Sequence, residues 1–256
     1  MLRGGFAAWS SRHWPPLLPP LPTHMALALA AAGGFHHIAG RGRLSLVRAR
    51  ATGANALVQR IFDLSSAGDL DGAAAALDAL EPADVALEPV APGPSVGYES
   101  VHKAGDLSIG IFLLPKGAAL PLHDHPGMAV LSKLLSGRLR VTSYDRPASD
   151  ARGPRLRCAP PTTRTLAAPC APLRLGPVTG NIHAFEALDD CAIFDVLTPP
   201  YDDFAGRSCH YYEVASAAEA EHELVEVGWP PSLHVRSRPY RGPKPAVGRW
   251  AGWRPN

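Results

Sequence analysis

Acidic residues are missing from the first quarter of this chain. None precedes Asp63, whereas Arg3, Arg12, Arg41, Arg43, Arg48, Arg50 and Arg60 all fall there. The same stretch holds WPPLLPPLP, in which proline removes backbone donors and restricts its predecessor, so regular helix is excluded. With MALALAAAGG and RGRLSLVRARA following, residues 1–52 read as a disordered lead or a transit peptide, or as a plain tail if translation starts at Met25. Long apolar runs are lacking too. The longest, Met25 to Ala32, is far short of a membrane span, and no membrane partner is expected. Cysteines number only 4. Cys158, Cys170, Cys191 and Cys209 are widely spaced and form no CxxC, which argues against a secreted disulfide scaffold and for a reducing compartment. A net charge of +2 is not the electrostatic footprint of a nucleic-acid binder. The expected location is cytoplasmic or nuclear, with chloroplast or mitochondrion as the alternative if the lead is a transit peptide.

What is present begins with helix. From Gly53, ANALVQRIFDL places Leu57, Ile61 and Leu64 on one face, and GDLDGAAAALDAL follows with Asp69 or Asp71 as N-cap. The prolines of EPADVALEPVAPGP end this helical lead, residues 53–82, which is expected to pack outside whatever follows. The remainder reads as β. LSIGIFLLP alternates Leu107, Ile109, Ile111 and Leu113 on one face. MAVLSKLL and GRLRVTSYD are split at Ser136-Gly137, a hairpin signal, and the second strand opposes Leu139 and Val141 to Arg138, Arg140 and Thr142. Residues 146–177 read as a long connection with ragged strands such as RLRCA and TRTLAAP. Short strands broken by Gly and Pro turns predict a sandwich or jelly-roll barrel over about 97–230. RPYRGPKPAVGRW is too proline-rich for a central strand and is expected to wrap the surface; residues 246–256 are a tail.

One stretch carries chemistry. PLHDHPGM holds His123 and His125 at i, i+2, a spacing that puts both imidazoles on one face of an extended strand. Two neutral imidazoles aimed at one point suit a transition metal. His183 in GPVTGNIHAF follows a Gly-containing turn and opens an apolar strand, as a third candidate ligand. Asp124 is expected to point to the opposite face and to be structural. His36, His37, His102, His210, His222 and His234 have no partner at ligand spacing.

Gly117, His123-x-His125 and Gly137 resemble the first cupin motif, and Pro177 to Gly180 with His183 a variant of the second. Where common cupins place a glutamate ligand, this chain has Val130. LHDHPGM, SKLLSG, Ala168-Pro169-Cys170, GNIHAF, DVLTPPY and GRSCHYYE occur in this order. Together they resemble the plant cysteine oxidase and cysteamine dioxygenase family of cupin-type thiol dioxygenases, over roughly residues 53–245. The resemblance implies a mainly β fold, a cupin-type (double-stranded β-helix) barrel with short N-terminal helices packed outside. It implies Fe(II) held by His123, His125 and His183, and O2-dependent conversion of a thiol to a sulfinic acid. The plant branch acts on proteins with an exposed N-terminal cysteine, marking them for degradation when oxygen is plentiful; the animal-type branch also oxidises cysteamine. The helical lead and the PPY and GRSCxYYE segments match the plant arrangement. The chain is expected to act as a monomer.

Three neutral ligands leave open positions and a cationic site that favours a substrate thiolate. The substrate α-amine is expected to chelate the iron beside the thiol, while Asp195 is expected inside the barrel, holding either that amine or a ligand histidine. Asp195 lies in CAIFDVL, where a lone carboxylate is expensive to bury without a partner; the alternative is an outward-facing strand residue. By resemblance Tyr201 lines the substrate entrance, its alternative being a surface aromatic. Cys209 and Tyr211, an i, i+2 pair, are placed for the Cys–Tyr thioether of animal members, and Cys209 is read as a pocket residue rather than a nucleophile. A non-enzymatic metal-binding cupin is the reading from another class; structural zinc sites are normally closed by four ligands, which weighs against it.

Overall fold

The computed structural model describes residues 41–147 and 154–247; the expectations for residues 1–40 and for the end of the tail lie outside that range. Helix α1 spans Arg41–Ser66, so it starts earlier than the helical lead expected from residue 53. Residues 41–52 contain no proline, and their alanines, leucines and arginines are good helix formers, so their bias in charge does not break the helix. Helix α2, Leu70–Asp78, is capped by Asp69, whose side chain accepts from the Gly72 amide at 2.8 Å. A single 3-10 turn, Pro82–Val85, follows.

Thirteen strands make up the described remainder. They are β1 (Val96–Ala104), β2 (Leu107–Leu114), β3 (Ala119–His123), β4 (Ala129–Ser136), β5 (Arg138–Tyr144), β6 (Arg155–Cys158) and β7 (Thr162–Ala167). They continue as β8 (Leu173–Leu175), β9 (Ile182–Ala187), β10 (Cys191–Thr198), β11 (Tyr211–Ala217), β12 (His222–Val227) and β13 (Val235–Arg238). One sheet has the order β13-β1-β2-β10-β4-β8 and the other β6-β12-β11-β3-β9-β5-β7. Their inner faces meet in a core of Leu114, Leu134 and Ile193 from the first and Leu120, Val141 and Phe185 from the second. This is the mainly β cupin-type barrel that was expected.

The first sheet is apolar on both sides, and the reason is the helices. Leu107, Ile109, Ile111 and Leu113 of β2, with Phe194 and Val196 of β10, turn outward and pack against Val58, Ile61, Ala73 and Leu77 of α1 and α2. The helices therefore lie outside the barrel, as expected. The inner face of the same strands carries Leu114, Leu134 and Ile193 and, beside them, a smaller and more polar set, Ser108 and Gly110 on β2, Ser132 on β4 and Asp195 on β10.

Ser136-Gly137 is not a hairpin. β4 pairs with β10 and β8, whereas β5 pairs with β9 and β7, so this turn is a corner that carries the chain from one sheet to the other. Gly137 has φ +82, and a Cβ there would lie 2.4 Å from the Asp190 carbonyl oxygen. Glycine is needed because two corners touch; a turn signal in sequence does not say which strands it joins. The C-terminal segment does wrap the surface. β13 adds in parallel to the edge strand β1, and Ala246 exchanges two hydrogen bonds with the Gln59 side chain of α1.

One charged side chain ties the helices to the barrel. Lys133, on the outer face of β4, is only 3% exposed. Its ammonium donates to the Asp78 carbonyl (2.9 Å), the Asp78 carboxylate (3.0 Å) and the Cys170 carbonyl (2.6 Å). Three acceptors match the three N–H donors, which makes the buried cation tolerable. Lys133→Met leaves those acceptors without their donor, and the urea unfolding midpoint is expected to reveal a loss of about 2–3 kcal/mol.

Candidate metal centre

β3 ends on His123, and its register sets that residue opposite His183 on β9 and Tyr211 on β11. His125 lies two residues past the end of β3, in the turn before β4, yet its ring still joins the other two. Ring centroids are 5.1 Å apart for His123 and His125, 4.5 Å for His123 and His183, and 5.0 Å for His125 and His183. One nitrogen from each ring lies within 4.8 Å of the others, so the three can share one metal ion. His125 and His183 are buried and His123 partly so.

Burial first, then mutual repulsion, holds the pKa values of His125 and His183 well below the usual imidazole range, and burial lowers that of His123. Neutral imidazole is the form that binds a metal. Tautomers are set from outside the cluster. His123 Nδ1 donates to the Pro121 carbonyl at 2.8 Å, which leaves its Nε2 lone pair free. The Tyr201 hydroxyl donates to the Asp124 carbonyl at 2.7 Å and lies 2.8 Å from His125 Nδ1 and 3.4 Å from its Nε2; accepting at the shorter contact favours the tautomer that presents Nε2. His183 Nδ1 is buried with no hydrogen-bond partner. Three neutral rings, two of them oriented by outside partners and the third with an orphaned nitrogen, fit a transition-metal ion.

Asp124 points away from the cluster, as its place between two ligands predicts, and it is fully buried. Its carboxylate receives Arg146 at 2.6 Å, Tyr212 at 3.0 Å, the His210 amide at 2.9 Å and the His210 ring at 3.1 Å. His210 is thus a structural partner rather than a ligand. Asn181 is a residue that spacing did not single out. Fully buried, it accepts from the His125 amide at 3.2 Å and donates to the carbonyls of His125 (2.7 Å) and Gly176 (2.8 Å). It clamps the HDH turn to the turn before His183; its sequence signal was only an amide two residues ahead of a ligand.

Asp195 lies inside the barrel, not outward, because its neighbours Phe194 and Val196 face the helices. β9 and β10 are joined by the short link 188–190. Phe185 and Ile193 sit on opposite walls of the inner core, and His183 and Asp195 each lie two residues farther from that link. His183 and Asp195 thus lie equally far along their strands from that link, and both turn inward with the same apolar core. Asp195 is 6% exposed, and its Oδ1 has no hydrogen-bond partner. Burial raises its pKa to about 7, with the nearby Ser132 hydroxyl pulling partly back.

Tyr201 stacks on the His125 ring with centroids 5.2 Å apart. Its other side forms part of a groove of about 470 Å³ between Lys103–Asp106 and the loop carrying Phe204 and Arg207. Tyr201 is thus a positioning residue for a ligand ring at the edge of an open groove. The Cys209 thiol lies against the Tyr201 and Tyr211 hydroxyls, and burial pushes its pKa up to about 12. It remains a thiol at neutral pH, in keeping with a pocket residue rather than a nucleophile.

A barrel of two facing sheets that aims three neutral histidines inward is a cupin metal centre. The PCO_ADO family model matches residues 76–245, and the chain belongs to that family of thiol dioxygenases. It is 34% identical over 230 residues to plant cysteine oxidase 2 of Arabidopsis thaliana, covering 73% of this chain and 82% of that one. It is 32% identical over 201 residues to 2-aminoethanethiol dioxygenase of Homo sapiens, covering 64% and 74%. Among solved structures, a cupin superfamily protein from Desulfitobacterium hafniense is 15% identical, with a TM-score of 0.35 over 45% of this chain and 87% of that one.

Two outcomes follow from this geometry. Tyr201→Phe removes the acceptor that orients His125, and competition with a chelator is expected to show metal affinity lower by roughly tenfold or more. Asp195 keeps its proton in the folded protein at pH values where the unfolded chain has lost it. Stability therefore falls as pH rises from about 4 to about 7, at up to about 1.4 kcal/mol per unit. Asp195→Asn is expected to flatten that fall in chemical denaturation measured across the window.

Proposed function

We propose that this chain is an Fe(II)-dependent dioxygenase that converts an N-terminal cysteine of protein substrates to cysteine sulfinic acid. The observation that carries the reading is the cluster of three neutral histidines, inside a barrel that also turns inward a buried carboxylate oxygen with no partner of its own. Iron held by His123, His125 and His183 supplies the redox chemistry that lets O2 react with a thiolate. The overall change, R–SH + O2 to R–SO2H, places both oxygen atoms on sulfur and needs no external reductant.

The chain's own residues set up that reaction. Val130 contributes no carboxylate, so the ligand set is uncharged and the loaded site stays cationic, which favours substrate as thiolate. Across the barrel Asp195 receives the substrate ammonium and gains the partner its Oδ1 lacks. Tyr201 holds His125 in its ligand tautomer, while the protonated Cys209 and Tyr211 wall the pocket. Cysteine and 2-aminoethanethiol both carry a primary amine two carbons from sulfur, and a thiol-binding metal opposite a carboxylate suits that unit.

The choice between them rests on the groove beside Tyr201. An open groove of that size accommodates chain beyond the first residue, which a small thiol does not have. The sulfinylated terminus is then the mark that a degradation pathway reads when oxygen is plentiful.

Mass spectrometry of a Cys-initiating peptide incubated aerobically with the iron-loaded protein tests the reading. A gain of two oxygen atoms is expected, lost together with bound iron in His183→Ala. Turnover of cysteamine is expected to be slower than that of the peptide. Undiminished oxidation of the N-acetylated peptide would exclude recognition through the amine.

A further inference from the structure

Beside Asp195 lies a second buried oxygen without an N–H partner. Ser132 is 1% exposed; its hydroxyl lies near enough to the Asp195 carboxylate to favour its charged form, and no donor meets its Oγ or Asp195 Oδ1. The two residues are direct register partners on β4 and β10. Both face inward. Leu131 and Leu135 on either side of Ser132 pack against the outer core, whereas Leu134 joins the inner one. Two neighbouring buried oxygens that no N–H of the chain meets leave accepting capacity unused, at a cost of about 1–3 kcal/mol that a packing role alone does not explain.

The other flank of Asp195 is already committed. Its partner on β2 is Gly110, and the Tyr98 ring from β1 lies over that glycine: a Cβ at 110 would come within 2.5 Å of the Tyr98 hydroxyl. That hydroxyl is drawn to Ser108 and Ser100, so Tyr98 forms a wall. The hydroxyl with an open accepting position is on the β4 side.

We propose that Ser132 is a second recognition residue for the primary ammonium of the substrate, accepting one of its three N–H groups beside the Asp195 carboxylate. The inference rests on the reading of the site as an aminothiol dioxygenase and deepens it. A carboxylate alone attracts any cation. Two acceptors on adjacent strands select a group with several N–H donors and reject an acylated nitrogen, which has lost both charge and donors. Specificity for an unblocked N-terminus then resides in the wall opposite the metal.

Ser132→Ala and Ser132→Thr in the iron-loaded protein test this. With a Cys-initiating peptide, the alanine variant is expected to show a KM raised roughly tenfold, with kcat within about twofold and iron content unchanged. The threonine variant, which keeps the hydroxyl, is expected to restore KM. Anaerobic calorimetry, which requires no turnover, is expected to show the same weakening of peptide binding. If the alanine variant fails to fold, Ser132→Cys, nearly isosteric but a poor acceptor, takes its place. Unchanged peptide binding in either variant overturns the proposal while leaving the wild-type dioxygenase reading intact. A wild-type protein that neither binds nor oxidises the peptide overturns both.

Discussion

Asp124 has no solvent exposure, and burial by itself would drive its carboxyl toward the neutral form. The bonds from His210 and Arg146 more than reverse that and hold its pKa below the usual carboxylate range. The groups that meet at this one charge come from the HDH turn, the exit of β5 and the entry to β11. Removing any one of them would expose a buried ion to an apolar surround. The metal ligands inherit their places from this cluster. His123 and His125 flank Asp124 in sequence, the Asp124 amide is bonded to the His210 carbonyl at 3.1 Å, and the Asp124 carbonyl receives the Tyr201 hydroxyl that orients His125.

A second carboxylate shows the opposite condition. Asp195 is nearly as buried as Asp124, yet it keeps an oxygen with no partner and a pKa raised to about 7. Asp124 is satisfied because it sits behind the ligands, where three elements converge. Asp195 keeps an unpartnered oxygen because its neighbours on the inner wall are a glycine and a serine, which bring no N–H donor to it. Buried carboxylates in one barrel thus divide into one that builds the site and one that waits for a donor from outside the chain.

Much of this was legible in advance, and the reasons differ by element. His123, His125 and His183 stood out because ligand histidines need fixed spacings on strands and turns. Leu139 and Val141 declared a buried face because a strand alternates with period two, and Asp69 a cap because its short side chain reaches an orphan amide. Misreadings arose where local chemistry has two outcomes. A Ser-Gly turn marks reversal of the chain but not which strands then pair, and here it links two sheets. Arg-rich residues 41–52 look like a lead by charge and like a helix by propensity. Asn181, Arg146 and Tyr212 gave no periodic signal, because a hydrogen bond across the fold imposes no spacing on its partners.

Sequence alone singled out three candidate ligand histidines, through their spacing and the family resemblance, together with Val130 where common cupins place a glutamate, and the two-faced character of the strands, which follows from residue type and local period. Tertiary structure decided which face of the first sheet the helices cover, and so turned Leu107, Ile109, Ile111 and Leu113 outward and left Ser132, Gly110 and Asp195 on the inner face. It also decided that Tyr201 holds a candidate ligand ring at the edge of the groove, and that the pKa values of Asp124 and Asp195, both buried, are displaced in opposite directions. Those outcomes depend on the dielectric and the donors that distant segments bring to a point, and no stretch of the chain carries that information by itself.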